Sequence, residues 1–135
     1  WYQTALEPGE IVTNVFLPDM PERSFGAYLK LARVSGDFAI ASVAAFIAHD
    51  RDMKVTALRI AIGGCGPRPV RAPEAELALI GISLGKIDSR ELGQALAKAC
   101  DPVDDVRASA DYRRIVVPRM VAQAIGQFAE LRFAA

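Results

Sequence analysis

At Gly63-Gly64-Cys65-Gly66-Pro67-Arg68-Pro69 the apolar pattern of this chain changes period, from two before the break to about 3.6 after it. A sheet must come first and helices afterwards. The expected architecture is α+β: a sandwich of a mostly antiparallel sheet of about four strands, covered on one face by about three helices. A length of 135 residues with 52% hydrophobic content suits one domain, 1–135, with a substantial core.

Residues 10–17 alternate, with Ile11, Thr13, Val15 and Leu17 opposite Val12, Asn14 and Phe16, and stop at Pro18-Asp19-Met20-Pro21. This is the expected first strand. Further strands are expected at 24–32, 38–48 and 54–62, the last two joined as an antiparallel hairpin through His49-Asp50-Arg51-Asp52. In the fourth, Thr56, Leu58, Ile60 and Ile62 face one way, and Val55, Ala57, Arg59 and Ala61 the other. Beyond the glycine-rich break a short helix is expected at 72–80, with Pro73 in its first turn and Gly81 past its end. Asp88-Ser89 and Glu91 supply a cap and a first-turn acid for a helix ending near Ala99, before Asp101-Pro102. Ser109 caps a third apolar stripe of Val117, Val121, Ala124, Phe128 and Leu131. Pro118 either starts a new helix or kinks one long helix, an interior proline costing roughly 3 kcal/mol.

Composition removes several classes of function. Lysine and arginine equal aspartate and glutamate at 16 each, and the signs alternate, so neither a nucleic acid nor a membrane surface is an expected partner. Cys65 and Cys100 are distant in sequence, and His49 is the single histidine. No zinc site or iron–sulfur cluster is expected from this chain alone. There is no secretory pattern, and the apolar run at 38–48 is too short to span a bilayer, so a soluble cytoplasmic protein with reduced thiols is expected. The opening Trp1-Tyr2, followed by a lead-in loop with a turn at Pro8-Gly9, reads as part of something longer whose aromatic pair packs on a neighbour.

The candidate functional residues lie around Tyr28-Leu29-Lys30-Leu31-Ala32-Arg33. Alternation places Tyr28, Lys30 and Ala32 on one face and Leu29 and Leu31 on the other. An ammonium beside an aromatic ring suits an anionic ligand laid across the sheet; a lysine on the solvated face of a half-buried strand gives the same pattern. In Ser35-Gly36-Asp37 the carboxylate either holds nearby backbone N–H groups in an Asx corner or orients Arg33 or Lys30 toward a ligand. Gly63-Gly64-Cys65-Gly66 lacks the spacing of either phosphate-binding fingerprint and reads as a structural turn. No activating neighbour is securely placed beside Cys65, which weakens it as an exposed nucleophile. His49, Asp50 and Asp52 read as a solvated turn rather than a metal or general-base site. At Asp111-Tyr112-Arg113-Arg114, Asp111 complements a helix dipole, Tyr112 can staple the helix to the sheet, and the arginines can pair with Asp104 or Asp105.

Six segments appear in a familiar order. They are Leu6-Glu7-Pro8-Gly9-Glu10-Ile11, Leu17-Pro18, Lys30-Leu31-Ala32-Arg33 with Gly36-Asp37-Phe38-Ala39, Ile62-Gly63-Gly64, Arg71-Ala72-Pro73-Glu74-Ala75-Glu76, and Ser109-Ala110-Asp111-Tyr112-Arg113-Arg114. Together they resemble the C-terminal domain of the FAD-binding (medium) subunit of molybdenum hydroxylases, the group of carbon monoxide dehydrogenase and xanthine dehydrogenase. The resemblance implies an α+β fold and an electron-transfer role. FAD would be shared with an N-terminal FAD-binding domain of the same subunit, while molybdenum–pterin and [2Fe–2S] clusters belong to partner subunits. By position, Lys30 is similar to a lysine that approaches the flavin, and Val12 falls where a strand side chain packs near the ring. Relatives often carry two consecutive arginines where this sequence has Arg33-Val34, so the resemblance implies no role for the second. The competing expectations are a stand-alone interaction module, with Lys30 and Tyr112 as surface contacts, and a small enzyme using Cys65.

Overall fold

The computed structural model describes residues 3–130. Trp1, Tyr2 and Leu131 lie outside the described residues. Strands β1 (Ser24–Leu31), β2 (Ala41–His49) and β3 (Val55–Gly63) form one antiparallel sheet in the order β1-β2-β3. Helices α1 (Pro73–Ala78), α2 (Ser89–Ala99) and α3 (Ala110–Glu130) follow, so the expected α+β order is observed.

The sheet has three strands rather than about four. Residues 10–17 are not a strand: Ile11, Val12, Val15, Phe16 and Leu17 are 66–89% exposed. Alternation alone cannot make a strand, because the ladder needs a second backbone, and none lies beside this segment among the described residues. The Pro8-Gly9 turn does form, with Gly9 at a φ of 91° and the Glu10 N–H donating to the Glu7 carbonyl at 3.0 Å. The expected strand at 38–48 begins only at Ala41, since Phe38 is 75% exposed on a loop and pairing starts with Leu31 opposite Ala41.

One face of the sheet makes the core. Val43, Ala45, Ile47, Leu58, Ile60 and Ile62 meet Leu92 and Leu96 of α2 and Val117, Val121, Ala124 and Phe128 of α3. A bulge between Ala48 and His49 interrupts the period of β3, so Val55 turns inward beside Leu58 while Thr56 is exposed, the reverse of the strict alternation expected. Asp88 caps α2 by accepting from the N–H groups of Arg90 and Glu91 at 2.9 and 3.0 Å. Pro118 lies inside a single continuous α3, which settles the alternatives at that position.

The free edge of β3 is closed by a buried carboxylate. Glu76 of α1 is 3% exposed and accepts from the Ile60 N–H at 3.0 Å, and Arg71 binds it through Nε at 3.1 Å and through Nη2. Hydrogen bonding to Glu76 also raises the Arg71 pKa. Next to it, Ile62 and Val70 exchange backbone bonds. An edge satisfied in this way offers no ladder to another strand. Glu76→Gln, which keeps an acceptor but removes the charge, is expected to lower the unfolding free energy by about 1.5 kcal/mol in urea denaturation.

Candidate functional site

The sheet face away from the core is uncovered by any helix among the described residues and is organised in cross-strand rows. Lys30, Ser42 and Gly63 form one row, Tyr28, Ala44 and Ala61 the next, and Gly26, Phe46 and Arg59 the third. With strands about 4.8 Å apart and a rise of about 3.4 Å per residue, this is a platform of roughly 10 by 13 Å. Its middle is low because the residues there are glycine, alanine and serine. At Gly63 a Cβ would sit 2.5 Å from Ser42 Oγ, so only glycine leaves the Ser42 hydroxyl in place.

The periodicity placed Tyr28 and Lys30 correctly: both are exposed on this face, Tyr28 by 65%, while Leu29 and Leu31 turn toward the core. Lys30 and Arg59 mark opposite corners. Among the described residues neither has a carboxylate at ion-pair distance. A cavity of 260 Å³ opens at the Arg59 corner, lined by Ala44, Phe46, Arg59, Ala61 and Arg71. Val12 is 66% exposed on the extended lead-in, outside the sheet.

The Ser35-Gly36-Asp37 corner forms, with Gly36 at a φ of 84° and Asp37 Oδ1 accepting from the Phe38 N–H at 2.7 Å. Asp37 does not orient Arg33 or Lys30. Its charged neighbour is Arg107, at 3.9 Å, whose guanidinium lies 4.9 Å from the centre of the Phe38 ring. Arg33 instead donates to the carbonyls of Val106 and Arg107 at 2.6 and 2.9 Å, lashing the loop after β1 to the loop before α3. Arg107 also lies 3.9 Å from Asp105 Oδ2, but no local signal marks its contacts with Asp37 and Phe38, which come from a segment far away in sequence.

Arg113, 2% exposed, makes the tie between α3 and the sheet that Tyr112 was expected to make; Tyr112 is 44% exposed. Arg113 donates to the Ile40 carbonyl at 2.9 Å, to the Val103 carbonyl, and to Asp105 Oδ1 at 2.8 Å. The pairing with Asp105 was among the expected ones. Asp105 has its pKa lowered to about 2, first by the N–H groups of Arg107 and Ala108 and then by Arg113.

Gly63-Gly64-Cys65-Gly66 is a structural turn, with Gly64 at a φ of 76° passing so close to the sheet that a Cβ would lie 3.0 Å from the Ile40 carbonyl oxygen. Cys65 is fully buried within it, which rules it out as an exposed nucleophile. His49 stacks on Phe25 and its Nδ1 lies 2.8 Å from the Asp50 carbonyl oxygen, while Asp50 Oδ1 accepts from the N–H groups of Asp52 and Lys54. No group of three or more metal-ligating side chains is gathered among the described residues, and no described helix is long and apolar enough to cross a membrane.

Comparison with known families gives a match to the CO dehydrogenase flavoprotein C-terminal domain over residues 26–128. The chain belongs to that family. The chain is 32% identical over 126 residues to the 6-hydroxypseudooxynicotine dehydrogenase complex subunit alpha of Paenarthrobacter nicotinovorans, covering 93% of the chain and 43% of that relative. It is also 32% identical over 128 residues to the carbon monoxide dehydrogenase medium chain of Hydrogenophaga pseudoflava, covering 92% and 43%. Among solved structures, reconstituted CO dehydrogenase from Oligotropha carboxidovorans superposes with a TM-score of 0.84 at 30% identity, covering 93% of this chain and 43% of that one. The chain therefore spans less than half the length of the relatives it matches. Within the family match lie all three strands from Gly26 onward, Lys30 and α3 as far as Phe128; Val12 precedes it.

Proposed function

We propose that this chain is the C-terminal domain of the FAD-binding, electron-transferring subunit of a molybdenum-hydroxylase-type oxidoreductase, and that its open sheet face closes one side of the flavin site. The observation that carries the reading is the family match over residues 26–128 coinciding with an uncovered face that bears Lys30. That face fits part of FAD: a low floor of small residues admits a flat ring, Tyr28 offers an aromatic surface, and Lys30 and Arg59 offer positive charge without a described carboxylate partner. FAD, when bound, supplies two-electron redox chemistry. Lys30 would hold the negative charge of the cofactor by a charge-assisted contact, and a cation beside a redox-active ring raises its potential by favouring the more negatively charged state. Val12 would pack near the ring from the lead-in segment.

The remaining FAD contacts would come from an N-terminal FAD-binding domain of the same subunit. Molybdenum–pterin and [2Fe–2S] clusters would sit on partner subunits, in a cytoplasmic assembly, and the domain alone would be inactive. The family match weighs against a stand-alone interaction module. Absorbance spectra test the reading: flavin bands from the complete subunit expressed with its neighbours, and none from this chain alone, are expected. A colourless complete subunit would reject it.

Lys30→Ala in the complete subunit is expected to weaken FAD retention roughly tenfold, the size of one charge-assisted hydrogen bond, or to lower the flavin potential by about 30 mV for the same preference. Flavin content by absorbance and a redox titration measure the two effects. Unchanged values for both would remove Lys30 from the site.

A further inference from the structure

Residues 11–17 hold no charged side chain, and Ile11, Val12, Val15, Phe16 and Leu17 among them stand 66–89% exposed. Alternation puts Ile11, Val15 and Leu17 on one side and Val12 and Phe16 on the other, so both faces of the segment are apolar. Its ends are defined. The Pro8-Gly9 turn, closed by the Glu10 N–H on the Glu7 carbonyl, opens it, and Pro18 stops it. Residues 11–20 make no backbone hydrogen bond to any described residue. An uncharged run of this kind, bare on both faces, is what free edges in water avoid. The superposition on CO dehydrogenase from Oligotropha carboxidovorans covers 93% of this chain, too much to leave the lead-in out, and 43% of that one. Most of the lead-in therefore follows the same course in a protein more than twice as long. A segment with no backbone bond to its own domain repeats a course only where something outside that domain holds it.

We propose that residues 11–17 are a β-strand completed by a sheet of the N-terminal FAD-binding domain, so that the two domains are joined by a backbone ladder as well as by the chain. The inference rests on the reading above that such a domain belongs to the same subunit. That domain is the favoured occupant because it is tethered to the lead-in, at an effective concentration on the order of millimolar, which a second copy of this chain lacks. Pairing would satisfy the bare N–H and C=O groups, and the domain would cover the apolar side chains on both faces. The His49 N–H holds the Arg23 carbonyl at 3.0 Å, and the Ser24 hydroxyl donates to the Pro21 carbonyl at 2.6 Å, which fixes the entry into β1. At about 3.5 Å per residue, 18–23 keeps the added strand within about 25 Å of that entry. The open sheet face is thereby held close to the other domain.

Hydrogen–deuterium exchange of the complete subunit, read by mass spectrometry on peptides covering 11–17, tests this, with flavin content measured on the same sample. The expected result is exchange slowed at least about a hundredfold against unstructured peptide, at every protein concentration. Exchange at the unstructured rate would overturn the proposal. So would protection that is lost on dilution, which marks a second copy as the occupant, or protection that appears only when other subunits are added, which marks one of them. Phe16→Lys should speed exchange at 11–17 at least about tenfold, the worth of one buried aromatic side chain, while peptides from α3 stay as in the wild type. Unchanged exchange in that variant would show that this face is not covered. If the variant fails to fold, the wild-type experiment decides by itself. Protection in a subunit without flavin keeps the added strand and rejects the flavin site; free exchange in a subunit with flavin does the reverse.

Discussion

Arg113→Met will lower the stability of the domain by about 2–4 kcal/mol, at about 1–3 kcal/mol for each carbonyl that loses its donor. Methionine fills much of the volume but leaves the carbonyls of Ile40 and Val103 without the donor they now have. Against a total of about 5–15 kcal/mol for a domain, this removes a large share of the stability. Urea denaturation followed by circular dichroism measures it, and a loss below about 1 kcal/mol would show that the three contacts are dispensable. The acid limb supplies a second readout. Asp105 has a folded pKa lowered from 3.8 to about 2, so its contribution is present above the unfolded value and is lost as pH falls through the folded one. Because the N–H groups of Arg107 and Ala108 are its largest causes, most of that dependence should survive in Arg113→Met. Its disappearance would mean that the loop before α3 has come apart together with the arginine.

The second large effect is expected from a substitution that helix propensity alone would favour. Gly93→Ala in α2 should cost about 3 kcal/mol, at the upper end of the range for overpacking a core. A Cβ at Gly93 would lie 2.7 Å from Pro118 Cα, 3.0 Å from its carbonyl oxygen and 3.1 Å from its Cβ. None of these atoms can swing aside, so α2 and α3 must separate, opening the layer formed by Leu92, Leu96, Val117 and Val121. Gly126→Ala in α3 is the control, since nothing lies within 4 Å of its Cβ position, and the helix gains up to about 1 kcal/mol there. The urea midpoints of the two variants should move in opposite directions; equal shifts would show that α2 and α3 are not held at this crossing. The same contact explains how Pro118 is accommodated. A proline inside a helix forfeits one backbone bond, but here its ring and backbone fill the notch at Gly93.

Much of this fold was legible because its signals are local. Pro73 at the start of α1, Asp88 at the cap of α2 and Gly81 at a φ of 81° each do what their chemistry requires within a turn of the chain. Period-two alternation put Tyr28 and Lys30 on the open face. The same rule failed at 10–17 because a strand is defined by its partner. It failed at Val55 because a bulge at that end of the hairpin, where Ala48 pairs with Ala57 and His49 with Val55, reset the parity. Glu76 carried no such signal: nothing in its first-turn position in α1 marks it for burial against the edge of β3.

The sequence by itself determined the order of sheet and helices, the caps, the turns and the face on which Lys30 stands. Tertiary structure alone decided the rest. Arg113 reaches Ile40 across 73 residues, Arg107 finds Phe38 and Asp37, and the Asp101 N–H finds the Cys65 carbonyl. The reason is one of range. Capping, turn geometry and hydrophobic period act over a few neighbouring residues and leave their mark in the local pattern. The partner of a buried charge or carbonyl is set by which elements pack together, and that is fixed only when the whole core closes.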